Sequence, residues 1–136
     1  MSAAEILGFI HFWGLSPAIN ALKFTNDSTI TKEEINILLS GSSDIRHLLK
    51  TCADNCGNEK GKKLNFFFHE KQKEVLARIA LQILIIALDI SEREKMELFL
   101  EIHSNSMIKE KSAKFLDKAI KVLIKFHLIC LYQLCD

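Results

Sequence analysis

The residues of this 136-residue chain best placed for chemistry are Gly41, Ser42, Ser43 and Asp44, followed directly by Arg46 and His47. They come after an apolar run and before a helical pattern. Small residues let a backbone approach a ligand closely, and a helix starting beyond them offers free N–H groups. The G-x-G-x-x-G dinucleotide fingerprint is not met, because Gly41 stands alone in the turn. Asp44 at a helix start favours the helix dipole and repels phosphate. A methionine-derived cofactor carries no phosphate, so Gly41, Ser42 and Asp44 suit it better than a dinucleotide. The competing reading is a purely structural strand–helix turn.

Glu70 lies 29 residues beyond Gly41, where nucleotide-binding folds place an acid for the ribose hydroxyls about 20 residues on. The intervening loop must absorb the excess, or Glu70 simply caps the following helix. Arg46 and His47 fall in the first helical turn. An Arg46–carboxylate pair locking that turn is the ordinary expectation, with partner binding as the alternative. Trp13, the single tryptophan, either docks an N-terminal arm or anchors a partner. His11, His69, His103 and His127 show no H-x-x-x-H spacing, and the pairs Cys52/Cys56 and Cys130/Cys135 lack C-x-x-C spacing, so free thiols and no zinc site are expected.

The elements that must hold these residues follow from pattern. "INILLSG" reads as a strand covered on both faces, as in a parallel sheet. "SSD" offers N-cap residues to a helix with Ile45, Leu48, Leu49 and Cys52 on one face. "DNCGNEKGKK" reads as a loop and "LNFFFHE" as a second strand. A long helix follows with Val75, Ile79, Ile83 and Ile86 as its stripe. Ser91 with Glu94 marks a capping box for a helix turning Met96, Phe99, Leu100 and His103 inward. A last helix from about Lys109 carries Leu116, Ile120, Leu123 and Ile124. The expectation is an α/β fold, a partial Rossmann-like strand–helix–strand unit followed by helices. The division is an arm and polar connection over 1–34, an incomplete α/β domain over 35–128 and a divergent end over 129–136.

Composition is globular, with 49% hydrophobic and 26% charged residues. Eighteen basic against 17 acidic residues leave a net charge of +1, which gives no field for nucleic acid or an anionic membrane. The N-terminus has no basic n-region and its apolar run is broken by Glu5 and His11, so it does not read as a signal peptide.

Four blocks come in a specific order: "FWGLSPAI", "ILLSGSSDIRHLLKT", "LNFFFHEKQKEVLARIALQILIIALD" and "EKMELFLEIHSNSMI". In that order, over roughly Phe12 to Lys125, the chain resembles the N-terminal domain of the family of the third dynein axonemal assembly factor. The resemblance implies cytoplasmic preassembly of dynein arms before their transport into motile cilia, without enzymatic activity. Axonemal dynein chains and chaperones or other assembly factors would be the partners. It also implies a fold similar to S-adenosylmethionine-dependent methyltransferases, with no catalytic residues to carry over. The family's glycine turn falls on Gly41, Ser42, Asp44, Arg46 and His47, with Glu70 at the second strand. An S-adenosylmethionine-dependent enzyme is the alternative, and a truncated product with an exposed "LQILIIAL" helix a third reading. The closing "HLICLYQLCD" has no counterpart in that pattern.

Overall fold

The computed structural model describes residues 10–25, 34–56, 63–105 and 107–133, with side chains through 125. A short 3-10 helix, Ala21–Phe24, is followed by β1 (Glu34–Ser40), α1 (Arg46–Asn55), β2 (Lys63–His69), α2 (Lys73–Ala87), α3 (Glu92–Ser104) and α4 (Glu110–Gln133). The chain is therefore mixed α/β, with four α-helices and a two-stranded sheet among the described residues. It divides into two compact units, Met1–Ile79 and Ala80–Asp136. Much of the polar connection and of the "DNCGNEKGKK" loop lies outside the described residues, as do the side chains of His127, Cys130 and Cys135.

In the first unit β1 and β2 pair in parallel, in register from Glu34 opposite Lys63 to Ser40 opposite His69. The expected parallel pairing is borne out. Successive side chains alternate between faces, so Ile35, Ile37 and Leu39 share one face with Leu64 and Phe66. Together with Ala21 and Leu22 of the 3-10 helix they form the core of the unit. The opposite face is not covered as the sequence pattern predicts. Its rungs are Glu34–Lys63 at 3.0 Å, Asn36–Asn65 at 2.9 Å, Leu38 opposite Phe67, and Ser40–His69 at 3.1 Å. Leu38 and Phe67 are both exposed. Asn36 breaks the apolar run because it belongs to this polar face.

Helix α1 keeps only part of the expected face inside: Ile45 at its start is buried and Leu48 partly so. His47 and Thr51 are inside, whereas Cys52 and Leu49 are exposed. The cause is hydrogen bonding: these polar side chains hold the N-terminal arm, so the helix is turned to present them.

Helix α2 begins in the first unit, where Val75 and Ile79 are buried as its stripe predicts. Beyond Ile79 the second unit takes over and the buried residues are Gln82 and Ile85, leaving Ile83 and Ile86 exposed. Gln82 stays inside because its Nε2 lies 3.0 Å from Nδ1 of His103, a ring that stacks on Phe99 one turn earlier at 5.7 Å. Ser91 caps α3 as expected, its Oγ accepting the Glu94 N–H. Met96 and Leu100 are exposed rather than inward, and so are Ile120 and Ile124 on α4.

The inward residue of α3 that the apolar pattern misses is Glu101. Its carboxylate accepts the Lys109 N–H and, at 3.0 Å, the Ser112 hydroxyl. These sit at the start of α4, whose first turn has amides without helical partners. A carboxylate there is favoured by the helix dipole as well. The bond from the Lys109 amide holds the Glu101 carboxyl below its ordinary value, against a smaller opposing effect of burial.

Candidate functional site

The turn that joins β1 to α1 sits at the C-terminal ends of both parallel strands, where α/β sheets place their ligand sites. Gly41 and Ser43 both have φ of +64°. In the left-handed region a Cβ is disfavoured, so Gly41 fits there freely and Ser43 carries strain. The Gly41 amide extends the sheet ladder to the His69 carbonyl at 3.0 Å.

Several polar groups of the turn are bonded within the chain. Glu70 Oε1 accepts the Ser43 N–H at 2.9 Å and the Ser42 hydroxyl at 3.2 Å. Asp44 is nearly fully buried. Its Oδ1 accepts the Arg46 amide at 3.0 Å and Nη1 of Arg46 at 2.7 Å, while Oδ2 accepts the Gly14 amide at 2.8 Å. Burial alone would raise the Asp44 carboxyl. The Gly14 and Arg46 amides and the Arg46 guanidinium together outweigh it and hold the group below its ordinary value.

Arg46 completes the junction. Nε donates to the Ser16 carbonyl at 3.0 Å, Nη2 to the Ser16 hydroxyl at 2.9 Å, and Nη1 also to the Ser42 carbonyl at 2.9 Å. The guanidinium lies against Gly14 so closely that a Cβ at that position would overlap it.

The contacts continue along α1. His47 Nδ1 accepts the Ile19 amide at 3.1 Å, and Thr51 Oγ1 accepts the Ala21 amide at 2.9 Å while donating to the His47 carbonyl at 2.7 Å. Asn55 Nδ2 donates to Asn20 Oδ1 at 3.3 Å, and that same oxygen caps the 3-10 helix through the Leu22 amide. Asp44, His47, Thr51 and Asn55 follow helical spacing. They form one polar stripe in which Asp44, His47 and Thr51 accept the backbone amides of Gly14, Ile19 and Ala21 and Asn55 bonds the Asn20 side chain. Because Nδ1 of His47 accepts, the ring is neutral with its proton on Nε2. Burial, then repulsion by Arg46, pushes His47 below its ordinary value, with Asp44 opposing in part.

Trp13 is placed on this arm and half exposed. Its ring and that of Phe12 pack edge to face at 6.4 Å, and the Arg78 guanidinium stands 4.9 Å from the Trp13 centroid and 5.1 Å from that of Phe12. Leu15, between the two anchored residues Gly14 and Ser16, is 97% exposed.

Gly41, Ser42, Asp44, Glu70, Arg46, His47 and Trp13 are thus brought into one region. Sequence reading missed Gly14, Ser16, Asn20, Thr51 and Asn55. The signal available for Thr51 and Asn55 was the polar stripe at helical spacing from Asp44, hidden by the apolar residues beside it.

In the second unit a cleft of about 370 Å3 has Leu98 and Phe115 in its lining and Glu94 and Lys111 at its edge, the last two already paired at 2.9 Å. Among the described residues no cluster of His, Cys, Asp and Glu is placed to hold a metal ion, and no helix is long and apolar enough to cross a membrane.

Comparison with known proteins places the sequence in a family. Residues 12–108 match the family model described as Domain of unknown function (DUF4470). Dynein axonemal assembly factor 3 of Xenopus laevis is 40% identical over 116 residues, covering 77% of this chain and 24% of the relative. Proteins of the same name from Danio rerio and Homo sapiens are 34% and 33% identical, covering 85% and 79% of this chain and 24% and 22% of their own lengths. The chain spans about a quarter of the length of these relatives. No solved structure matches it. The matched segment runs from the arm through the turn and Glu70 into α3, and on that match the chain belongs to the DUF4470 family.

Proposed function

We propose that this chain acts as a non-enzymatic binding module in the cytoplasmic preassembly of axonemal dynein arms, before the arms are carried into motile cilia. The relatives' shared name, dynein axonemal assembly factor 3, supports the assembly role. Its partners in this reading are axonemal dynein chains and chaperones or other assembly factors.

One observation carries the binding reading. The Asp44 carboxylate is bonded to the arm and to Arg46, the Ser42 hydroxyl and Ser43 amide are bonded to Glu70, and the arm so fixed displays Trp13 and Leu15. Fixing apolar anchors before a partner arrives lowers the entropy cost of binding. In this role Trp13 is a partner contact, while Arg46 and His47 position it through Ser16 and Ile19. We read the parallel strand–helix–strand of the first unit as the start of a Rossmann-like, methyltransferase-like architecture. That likeness motivates S-adenosylmethionine as the alternative ligand of Gly41, Ser42, Asp44 and Glu70. One Glu70 oxygen, Oε1, already accepts from Ser42 and Ser43, so a ribose hydroxyl would compete with the turn for this carboxylate.

The test uses ciliated cells depleted of the protein. Restoring the wild-type chain should return dynein arms to the axoneme by electron microscopy, and a Leu15→Asp chain, altered at a fully exposed position, should not. Equal arm counts with both chains would remove the arm from the binding site. No arms with either chain would end the assembly reading for this chain.

A further inference from the structure

Lys111, Lys114, Lys118, Lys121 and Lys125 recur on α4 at spacings of three and four, and all five are exposed. At 3.6 residues per turn and 1.5 Å per residue they make a ridge about 21 Å long on one side of the helix. Its beginning is occupied: Lys111 pairs with Glu94 of α3 at 2.9 Å, and Lys114 with Glu110 at 2.6 Å. The remaining three lysines make no ion pair among the described residues. Val122 and Ile124, both exposed, flank this part of the ridge on opposite sides. The inner side of α4, with Ser112 and Ala119, is buried in its own unit.

We propose that Lys118, Lys121 and Lys125, with Val122 and Ile124, dock an acidic amphipathic helix from a partner protein. The contact would continue an arrangement already present, since a carboxylate carried on a helix, Glu94, sits on the first lysine of the same ridge. A helix with acids at spacings of three and four would meet the lysines in register, and apolar residues beside the acids would cover Val122 and Ile124. Nucleic acid would leave those two side chains bare, and the chain's net charge of +1 gives it no wider basic field. A bilayer needs a broad apolar face turned outward, whereas through residue 125 Ala119 is buried and Phe115, Leu116 and Leu123 are partly buried. The inference is independent of the turn in the first unit and stands or falls without the dynein reading.

The experiment is a fluorescence anisotropy titration of the full chain. The probe is a fluorescein-labelled designed helix of about 18 residues, with glutamates at heptad spacing and leucines beside them. The wild-type chain should bind it saturably. Lys118→Glu, Lys121→Glu and Lys125→Glu together should weaken binding at least about tenfold, and a probe with lysines for glutamates should bind that variant instead. If the charge reversal alters the helical circular dichroism, the Lys→Gln triple variant replaces it, with the same loss expected. No saturable binding by the wild type, or equal binding by the variants, overturns the proposal. So does equally tight binding by unstructured polyglutamate, by vesicles of phosphatidylserine and phosphatidylcholine, or by duplex DNA at the same ionic strength.

Discussion

Asp44 and Gly14 are joined by a hydrogen bond of 2.8 Å between residues thirty positions apart, the carboxylate accepting the glycine amide. The bond ties a segment without helix or strand to the start of α1. It places the arm where Arg46 can reach Ser16.

Removing Arg46 should release the arm. Arg46→Ala deletes donors to Ser16, Ser42 and Asp44 and breaks the ion pair of a nearly buried carboxylate, so a loss of about 2 kcal/mol is expected in urea denaturation. Arg46→Lys should recover little, because an ammonium cannot bridge the same set of acceptors. Full stability in Arg46→Lys would mean that charge rather than the guanidinium fork holds the arm.

Gly14→Ala should act through Arg46. The new Cβ would overlap the guanidinium, so the cost is that of moving Arg46 off its acceptors, on the order of 1–2 kcal/mol. In a double-mutant cycle, Gly14→Ala added to Arg46→Ala should cost almost nothing further. Additive losses would assign the glycine another role.

Acid should loosen the arm at His47. The unfolded chain takes up this proton near the ordinary value of about 6.5 and the folded chain only at lower pH, so the unfolded state holds more protons between the two. The stabilisation is therefore complete above about 6.5 and lost as pH falls toward the folded value. Protection of the Ile19 amide, its exchange measured against the intrinsic rate at each pH, should fall as pH falls over that window in the wild type. In His47→Gln it should lose that pH dependence, and a slope that persists would point to a different group.

Gln82 should be replaceable at no cost. It is fully buried, and among the described residues its Oε1 accepts no hydrogen bond. Gln82→Met keeps the volume and removes the unsatisfied oxygen, so stability should hold or rise by about 1 kcal/mol. A marked drop in melting temperature would show that the contact with His103 matters more than the orphaned oxygen.

S-adenosylmethionine should leave the melting temperature of the chain unchanged. Specific binding at a hundredfold excess over the dissociation constant would add about 2.7 kcal/mol, a shift of several degrees for a domain of this size. An upward shift would return the turn and Glu70 to a ligand-binding role.

The backbone order of strand, helix, strand and helices was legible because period-2 and period-3.6 patterns persist over whole elements. The capping box at Ser91 was legible for the same local reason. Which face of each helix turns inward was less so. On α1 an apolar stripe through Leu49 and Cys52 competes with the polar stripe through His47 and Thr51. The polar one is inside because it hydrogen-bonds a backbone segment about thirty residues earlier. Periodicity reports amphipathicity and carries no record of a distant amide in need of an acceptor. Glu101 escaped for the same reason, since its partners lie across the turn to α4. At the candidate site the grouping of Gly41, Asp44 and Glu70 was readable from the strand ends. That Glu70 points into the turn was not.

Residues 10–20 have no regular structure of their own, and their shape is lent to them by side chains of the turn and α1. A newly made chain cannot hold Leu15 in that pose until β1, the turn and α1 have formed. A protein that reads Leu15 and Trp13 in this pose would therefore recognise finished molecules and pass over unfinished ones. To such a partner the arm would be a maturity mark, erased whenever the turn beneath it opens.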